Sequence, residues 1–319
     1  MKSGLGFVLI THSNPEQILF LCKRLTSGFN AAPIAIHHDF GKVELDKEAF
    51  PENVSFVEDW IPTRWGRFSI VDATLRALRT LYRDNDPDWF IVLSGSDYPI
   101  KTADAVLDDL GKSGFDAHLD YREVHYSKVR RPPDYGDYCY SHSAWVREPY
   151  NRYMAVGLGF FKLATRFKWK RDAFYLRWHV LVKLFTPFRG GIKCFAGDFW
   201  LTGNRKVATV LLKDSNLVRT MTAHFRKRPI PDEGYLHTVL LNTPGIKVSP
   251  DNKRYTDWSG CVGHPKWLKE SDFPELLVSQ DYFARKFEFN PELFQKLDRM
   301  IDSQEIPESQ EALAYDELQ

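Results

Sequence analysis

Three short apolar runs stand out in the first hundred residues. Residues 5–10 (LGFVLI), 33–38 (PIAIHH) and 89–93 (WFIVL) are rich in branched and aromatic side chains, which is typical of strands buried on both faces. Between these runs, apolar residues recur every three or four positions, as in amphipathic helices. Strands that alternate with helices predict a parallel sheet with helices packed on its faces. The pattern therefore predicts an α/β fold with a mostly parallel central sheet.

Several helices can be placed from the same pattern. The first follows Asn14, which we expect to cap it, with Pro15 at the first helical position. Further helices are predicted over residues 68–82, 205–212 and 232–241. A sheet-like stretch is predicted over residues 194–202, where apolar residues again lie close together.

Charge and cysteine content narrow the class of protein. The chain has 43 basic and 42 acidic residues, and this balance argues against a nucleic-acid-binding protein. Four irregularly spaced cysteines (Cys22, Cys139, Cys194 and Cys261) favour reduced thiols over a disulfide framework, which indicates the cytosol. No signal peptide precedes the first strand, and no apolar run reaches the roughly 18 residues of a spanning helix. We expect a soluble cytoplasmic protein.

The exit of the third apolar run carries candidate chemistry. Residues 94–102 (SGSDYPIKT) follow it directly, and ligands bind at the carboxyl ends of strands in open α/β sheets. Gly95 allows the backbone to approach a ligand, and Asp97 offers a fixed acceptor. Taken alone, the segment could equally be an ordinary turn.

The segment at residues 94–102 resembles the central signature of the Core-2/I-branching glycosyltransferase family, which includes the protein xylosyltransferases. Further resemblances to that family occur in the same order along the chain. They are residues 34–39 (IAIHHD), 64–69 (RWGRFS), 197–200 (GDFW) with 204–205 (NR), 231–235 (PDEGY), 254–258 (RYTDW) and 284–287 (ARKF). Asp198 stands where the family usually has Ser. Animal relatives carry an N-terminal anchor helix that this sequence is not expected to have, so the resemblance implies a soluble bacterial member.

The resemblance implies an A-type glycosyltransferase fold and an inverting transfer from a UDP-sugar to a hydroxyl of a glycan or related acceptor. N-acetylglucosamine is the favoured sugar, with xylose or another sugar as alternatives. Glu233 matches the family's catalytic base, and Asp232 would orient it or cap a helix. Arg254 and Lys286 match the cations that hold the diphosphate, so neither a metal nor another cofactor is expected.

An Asp-x-Asp motif that could bind a metal occurs at Asp84 and Asp86. It precedes the strand at residues 89–93, whereas a ligand for a diphosphate should follow that strand, so we reject it. His37 and His38 lack a cluster of further ligand residues and are interpreted as ordinary histidines.

Other residues are predicted to shape the pocket. Asp39 and Asp97 each follow a strand and are predicted to contact the donor. Aromatic side chains stack on sugar faces, although most aromatics belong to the core. The residues predicted to bind the acceptor or to line the pocket are Asp232, Trp65, Tyr98, Trp200 and Tyr255.

Residues 162–193 are basic and aromatic, with Asp172 as the lone acid. They are interpreted as a helix packed on the core, a peripheral membrane contact or an acceptor surface. No linker divides the chain, so residues 1–300 are predicted to form one domain, with a nucleotide-binding half to about residue 120 and an acceptor half after it. Residues 301–319 are predicted to be a flexible acidic tail. The alternative function is a non-catalytic carbohydrate- or nucleotide-binding module with this fold.

Overall fold

The computed structural model describes residues 4–125, 149–154, 156–157, 175–176, 185–259 and 264–303. The predicted tail beyond residue 303, Cys139, Cys261 and most of the basic aromatic stretch lie outside these ranges. The strands are β1 (Leu5–Thr11), β2 (Ile34–His38), β3 (Val54–Phe56), β4 (Trp89–Ser94), β5 (Tyr98–Pro99), β6 (Ala117–His118), β7 (Arg122–Glu123), β8 (Val156–Gly157), β9 (Tyr175–Leu176), β10 (Phe195–Ala196), β11 (Thr202–Asn204), β12 (Val248–Ser249), β13 (Arg254–Thr256) and β14 (Phe283–Arg285).

The helices lie mostly where the sequence predicts them. They are α1 (Pro15–Gly28), α2 (Ser69–Asp84), α3 (Ala103–Lys112), α4 (Arg205–Leu212), α5 (Asn216–Phe225), α6 (Tyr235–Leu241), α7 (Phe273–Val278) and α8 (Pro291–Ser303). Short 3₁₀ turns occur at Lys47–Ala49, Pro231–Glu233 and Glu270–Asp272, and Tyr150–Met154 forms one π-helical turn. Among the described residues, no helix combines the length and the apolar character that crossing a membrane requires.

The central sheet has seven strands in the order β12-β6-β11-β4-β1-β2-β3. All its neighbouring pairs are parallel except those of β11, which runs antiparallel to β4 and β6. The α/β class with a mostly parallel sheet, predicted from the sequence, is therefore confirmed.

The apolar run of β4 explains why this strand is central. Phe90 and Val92 pack in a hydrophobic cluster with α2, whereas Ile91 and Leu93 pack in a second cluster with α1. All four side chains are fully buried. Burying one such side chain stabilises the fold by about 1.5–3 kcal/mol, so alternate residues of β4 hold both helical layers to the sheet.

A small second sheet crosses the exit of β4. Its order is β13-β14-β5, and Tyr255 pairs with Ala284, which in turn pairs with Tyr98. Residues from the C-terminal third of the chain are thereby brought against the carboxyl end of the central sheet. The distant motifs at residues 94–102, 254–258 and 284–287 meet at this edge.

Two local predictions were wrong. Asn14 occupies the cap position of α1 in a left-handed conformation, but its side chain does not cap the helix. The helix predicted over residues 232–241 is interrupted at Gly234: Pro231–Glu233 form a 3₁₀ turn, and α6 begins at Tyr235. Glu233 thus lies before an α-helix rather than in its first turn. Cys22 and Cys194 are free and buried, as expected.

Candidate functional site

A cavity of about 860 Å³ opens at the carboxyl edge of the central sheet. Thr11 at the end of β1 and Ser94 at the end of β4 line it, together with Gly95. Residues from the small sheet and from the Pro231–Glu233 turn complete its wall. The ligand position expected after β4 therefore coincides with a cavity.

Glu233 lies in this cavity at the end of its 3₁₀ turn. Its Oε2 accepts a hydrogen bond from the guanidinium of Arg152 at 2.8 Å. The Glu233 side chain is 34% exposed, and that of Arg152 is 13% exposed. The carboxylate is thus held from one side while part of its surface faces the cavity.

Burial raises the pKa of Glu233 to about 8. The charge of Arg152 opposes this rise, and the nearby carboxylates of Asp232 and Asp198 add to it. A position in the first turn of a helix would lower the pKa of Glu233, but the helical conformation is interrupted at Gly234 and α6 starts only after it. Because a general base works best when its pKa lies near the working pH, Glu233 is suited to accept a proton.

Three further carboxylates, those of Asp120, Asp198 and Asp232, line the cavity beside Glu233, and we call them the acidic wall. Burial raises the pKa of Asp232 and of Asp198 to about 6 each, and for Asp198 the charge of Asp120 contributes. The backbone N–H of Asp198 donates to the Asp120 carboxylate at 3.2 Å, and its carbonyl is bonded to the His237 ring at 2.9 Å.

Asp232 was predicted to orient Glu233 or to cap a helix. It makes no cap, because Ile230 occupies the cap position of the turn. One buried carboxylate oxygen, Oδ1, has no hydrogen-bond partner among the residues that the structure describes. The orienting role of Asp232 stays a prediction.

Gly197 joins the acidic wall to the turn that carries Glu233. Its N–H donates to the backbone carbonyl of Glu233 at 3.0 Å. A Cβ at this position would overlap the backbone carbonyl of Asp120, so only glycine permits so close an approach.

Two adjacent cations at the end of β14 also line the cavity. Arg285 lies over the ring of Trp200 at 4.2 Å, and Lys286 lies over the ring of Trp267 at 4.3 Å. Both cations line the cavity, and burial lowers the pKa of each. Within the described part of the chain, Nε of Arg285 has no hydrogen-bond partner. These two side chains can offer charge and donors to an anionic ligand.

Arg254, which was predicted to hold the diphosphate, lines the cavity and is paired with a buried carboxylate. Its guanidinium forms an ion pair with Asp97 and donates to the carbonyl of Val92 at 2.9 Å. The side chains of Arg254 and Asp97 are 1% and 0% exposed. Ser94 also donates its backbone N–H to Asp97 at 2.6 Å. Asp97 thus fixes Arg254 and lies behind the cavity wall instead of contacting a donor as predicted. The role of Arg254 toward the diphosphate stays a prediction.

Asp39 likewise has a structural position. Its carboxylate accepts from the N–H of Thr63 at 2.7 Å, from the Thr63 hydroxyl at 2.9 Å and from the N–H of Gly41 at 3.2 Å. Burial would raise its pKa, but these bonds and the charge of Lys42 leave the pKa lowered. Asp39 does not line the cavity, whereas Thr63 and Lys42 do. The predicted contact with a donor is thus replaced by a bond that fixes the loop carrying Thr63.

Four of the five residues predicted to bind the acceptor or line the pocket do line the cavity. These are Asp232, Trp65, Trp200 and Tyr255. The prediction for Tyr98 was wrong: its ring stacks on Phe294 at 4.2 Å in the core, and its hydroxyl donates to Asp298 at 3.1 Å. The Tyr98 side chain therefore packs against α8 and does not line the cavity.

Trp65 is the most exposed large apolar residue at the cavity, with 76% of its surface accessible. The turn that carries it is fixed, because the carbonyl of Gly66 accepts from the N–H of Ile230 at 3.1 Å. Ile230 directly precedes the Pro231–Glu233 turn, so the indole is held near the candidate base.

No group of three or more His, Cys, Asp or Glu side chains within the described ranges is arranged to hold a metal ion. Asp84 pairs with Arg83 and Asp86 pairs with Arg205, at the end of β4 opposite to the cavity. His37 and His38 are buried in β2, and His38 is bonded to Thr11 at 2.9 Å. Metal independence remains a prediction.

Two residues of the site were missed from the sequence. Arg152 precedes an irregular aromatic region and belongs to no motif. Arg285 lies in the segment of residues 284–287, but only its neighbour Lys286 was predicted to hold the diphosphate. Alternation along β14 gives no signal for Arg285, since Phe283 on the same face of that strand is buried in the core.

Comparison with known proteins shows the family to which the chain belongs. Residues 5–281 match the Core-2/I-Branching enzyme family. Xylosyltransferase 1 of Mus musculus is 26% identical over 274 residues, covering 78% of this chain and 25% of the relative. Beta-glucuronosyltransferase GlcAT14A of Arabidopsis thaliana is 27% identical over 235 residues, covering 72% of this chain and 46% of the relative.

A solved structure of S. aureus TarS residues 1–349 superimposes with a TM-score of 0.32 at 12% identity, covering 93% of this chain and 64% of that chain. The chain spans less than half the length of the two relatives named above. The match over residues 5–281 includes Glu233 and the acidic wall, and it ends shortly before Arg285 and Lys286. On that match, the chain belongs to the Core-2/I-branching enzyme family.

Proposed function

We propose that the protein is an inverting, metal-independent glycosyltransferase that moves a sugar from a UDP-sugar to a hydroxyl group of a glycan or related acceptor. N-acetylglucosamine remains the favoured sugar. The observation that carries the proposal is the placement of Glu233 and of the Arg285–Lys286 cations on the wall of one cavity. An acid that can accept a proton and cations that can bind a leaving diphosphate are the two requirements of such a transfer.

The reaction is a single displacement. Glu233 takes the proton of the acceptor hydroxyl while the oxygen of that hydroxyl bonds to the anomeric carbon of the donor sugar. The bond from the anomeric carbon to the UDP oxygen breaks at the same time. Arg285 and Lys286 neutralise the charge that develops on the diphosphate. Arg254 also lines the cavity, so it can contribute to the same task, and Asp97 pairs with Arg254 and lies 3.8 Å from Arg285 Nε.

Titration of free UDP tests the cation site. Arg285→Ala and Lys286→Ala should each weaken UDP binding about 10-fold, since each removes a charge-assisted contact of about 1.4 kcal/mol. Lys23→Ala, on the exposed face of α1, is the matched control and should bind UDP as the wild type does. Unchanged affinity in both cavity variants would show that the diphosphate binds elsewhere.

Treatment with EDTA tests metal independence. We expect UDP release from a donor in the presence of acceptor to persist in excess EDTA and to change little when Mn²⁺ is added. Loss of activity that Mn²⁺ restores would contradict the proposal. A protein that binds UDP but releases it from no donor would instead be the non-catalytic binding module.

A further inference from the structure

A basic surface borders the cavity beside the candidate base. It is formed by two short segments, residues 64–68 (RWGRF) and 226–230 (RKRPI), which together hold five cations and no acid. The two segments are joined, because the N–H of Ile230 donates to the carbonyl of Gly66 at 3.1 Å. Positive charges from two distant parts of the sequence are thus gathered on one surface.

Three of these cations are open to water. Arg64, Arg67 and Lys227 are exposed, and we call them the cationic rim. Arg226 differs from them, because its guanidinium is bound to Asp72 at 2.8 Å. Within the described part of the chain, no residue of the cationic rim forms an ion pair with an acid. Cations that lie together without acids attract anions from solution.

Trp65 places the cationic rim at the mouth of the cavity. Its indole lines the cavity and is 76% exposed, and the turn that carries it is closed by a bond from the N–H of Arg67 to the carbonyl of Arg64 at 3.1 Å. Aromatic faces stack on sugar rings, and guanidinium groups bind anionic oxygens through paired donors. An exposed indole between two arginines therefore suits a sugar ring that carries negative charge.

We propose that the cationic rim binds the acceptor, and that this acceptor is an anionic glycan. The inference rests on the proposed function and specifies its acceptor rather than its donor. The negative groups of the glycan bind at the rim, whereas only a hydroxyl group reaches Glu233. The carboxylates of the acidic wall favour this division, because they repel an anion that enters the cavity further.

Two oligosaccharides that differ only in charge test the proposal. An oligomer of α-1,4-linked galacturonate has a carboxylate on every sugar, and its methyl ester has the same chain without the charge. Calorimetric titration at about 50 mM salt should show the acid binding at least about 10-fold more tightly than the ester, because weak screening lets the cations act together on a charged chain. Equal binding of the two oligomers, or binding of neither, overturns the proposal.

A triple variant assigns this preference to the cationic rim. Arg64→Gln, Arg67→Gln and Lys227→Gln together should reduce the preference for the acid to about 3-fold or less. None of the three side chains lines the cavity, so the variant should bind free UDP as the wild type does, which also shows that it is folded. A full preference in this variant would overturn the role of the rim.

The matched control replaces the same types of residue at exposed positions on other helices, with Arg79, Arg299 and Lys23 changed to Gln. It should keep the full preference for the charged oligomer. Loss of the preference in the control as well would mean that net charge, and not the cationic rim, attracts the acid, which would also overturn the proposal.

An anionic membrane is another surface that exposed cations could meet. Co-sedimentation with vesicles of phosphatidylglycerol and phosphatidylcholine tests it, and we expect no binding that the triple rim variant loses. Vesicle binding that depends on the rim would assign this surface to a membrane and overturn the proposal.

Free UDP separates the inference from the proposed function. If UDP binds but the charged and neutral oligomers bind equally, the acceptor is not selected by charge and the glycosyltransferase proposal stands. If UDP itself does not bind, the proposed function and the inference that rests on it both fail.

Discussion

Two carboxylate–arginine pairs lie at the cavity, and they differ in how far water reaches them. The Asp97–Arg254 pair is sealed, with 0% and 1% of the two side chains exposed. The Glu233–Arg152 pair is partly open, with 34% and 13% exposed. In the sealed pair, Ser94 and the carbonyl of Val92 supply further hydrogen bonds. In the open pair, the carboxylate keeps surface available to a ligand.

This difference in exposure suits the two pairs to different roles, one structural and one catalytic. A buried ion pair contributes little net stability relative to an apolar replacement, but breaking it leaves an uncompensated charge. The sealed pair can therefore fix the small sheet against β4 but cannot exchange protons with a substrate. The open pair holds its carboxylate in place while leaving it reachable, which is the condition for acid–base chemistry.

Breaking the sealed pair should have the largest effect on stability. Arg254→Met and Asp97→Asn each leave one buried partner without its counterpart, and each should lower the free energy of unfolding by about 3–5 kcal/mol. Urea unfolding measures this loss. Arg219→Met removes an exposed partner of Asp214 and should cost less than about 1 kcal/mol. If Arg254→Met were as stable as Arg219→Met, Arg254 would be free to act as the diphosphate ligand first predicted.

Removing the charge of the open pair should instead abolish turnover. Glu233→Gln keeps the shape but cannot accept a proton, so the rate of transfer should fall about 100-fold or more, equivalent to about 2.7 kcal/mol. UDP affinity should change little. Glu52→Gln, at an exposed position, is the control. Transfer at the wild-type rate in Glu233→Gln would assign the base to another group.

The same variant makes a prediction about stability that follows from the sign of the pKa shift. Folding raises the pKa of Glu233 from 4.5 to about 8, so ionisation of Glu233 destabilises the folded wild type. This destabilisation is absent below about pH 4.5, grows as the pH rises and is complete above about pH 8. Glu233→Gln should therefore gain stability relative to the wild type between pH 5 and pH 8.5, measured by urea unfolding. A stability difference that does not change with pH would contradict the raised pKa.

A smaller effect is expected when the arginine of the open pair is changed. Arg152 lowers the pKa of Glu233, so Arg152→Met should raise that pKa and move the rising limb of the pH–rate profile to higher pH. Turnover at pH 7 should fall by about 3- to 10-fold, because less of the base is ionised. Arg152→Lys keeps the charge and should shift the profile less. If both variants had the pH–rate profile of the wild type, Arg152 would have a purely structural role.

The sequence was sufficient where local pattern decides the structure. The run at residues 89–93 predicted a central strand because each residue is apolar, and both faces of β4 are indeed buried. The interruption of the helix at Gly234 was not predicted, because a residue between a 3₁₀ turn and an α-helix does not change the spacing of apolar residues in the sequence. That break separates Glu233 from α6 and so decides its electrostatic surroundings.

The site was predictable in its motifs but not in its side-chain partners. Arg254 and Arg285 are both arginines on neighbouring strands, and composition cannot tell which one Asp97 will bind. Both arginines line the cavity, but the Arg254 side chain is 1% exposed and paired with Asp97, whereas that of Arg285 is 17% exposed. Arg152 could not be found, because its contact with Glu233 joins residues 81 positions apart without a motif around it.

Because Gly197 has no side chain, two parts of the site lie close together, and this limits which substitutions the site can accept. The same backbone segment touches Asp120 on one side and the carbonyl of Glu233 on the other. A single added methyl group would push these neighbours apart together, so the segment that carries Asp198 and the turn that carries Glu233 cannot be moved independently at this point. Substitutions that reshape this part of the cavity should therefore be made at neighbouring positions such as Asp198 and should leave Gly197 untouched.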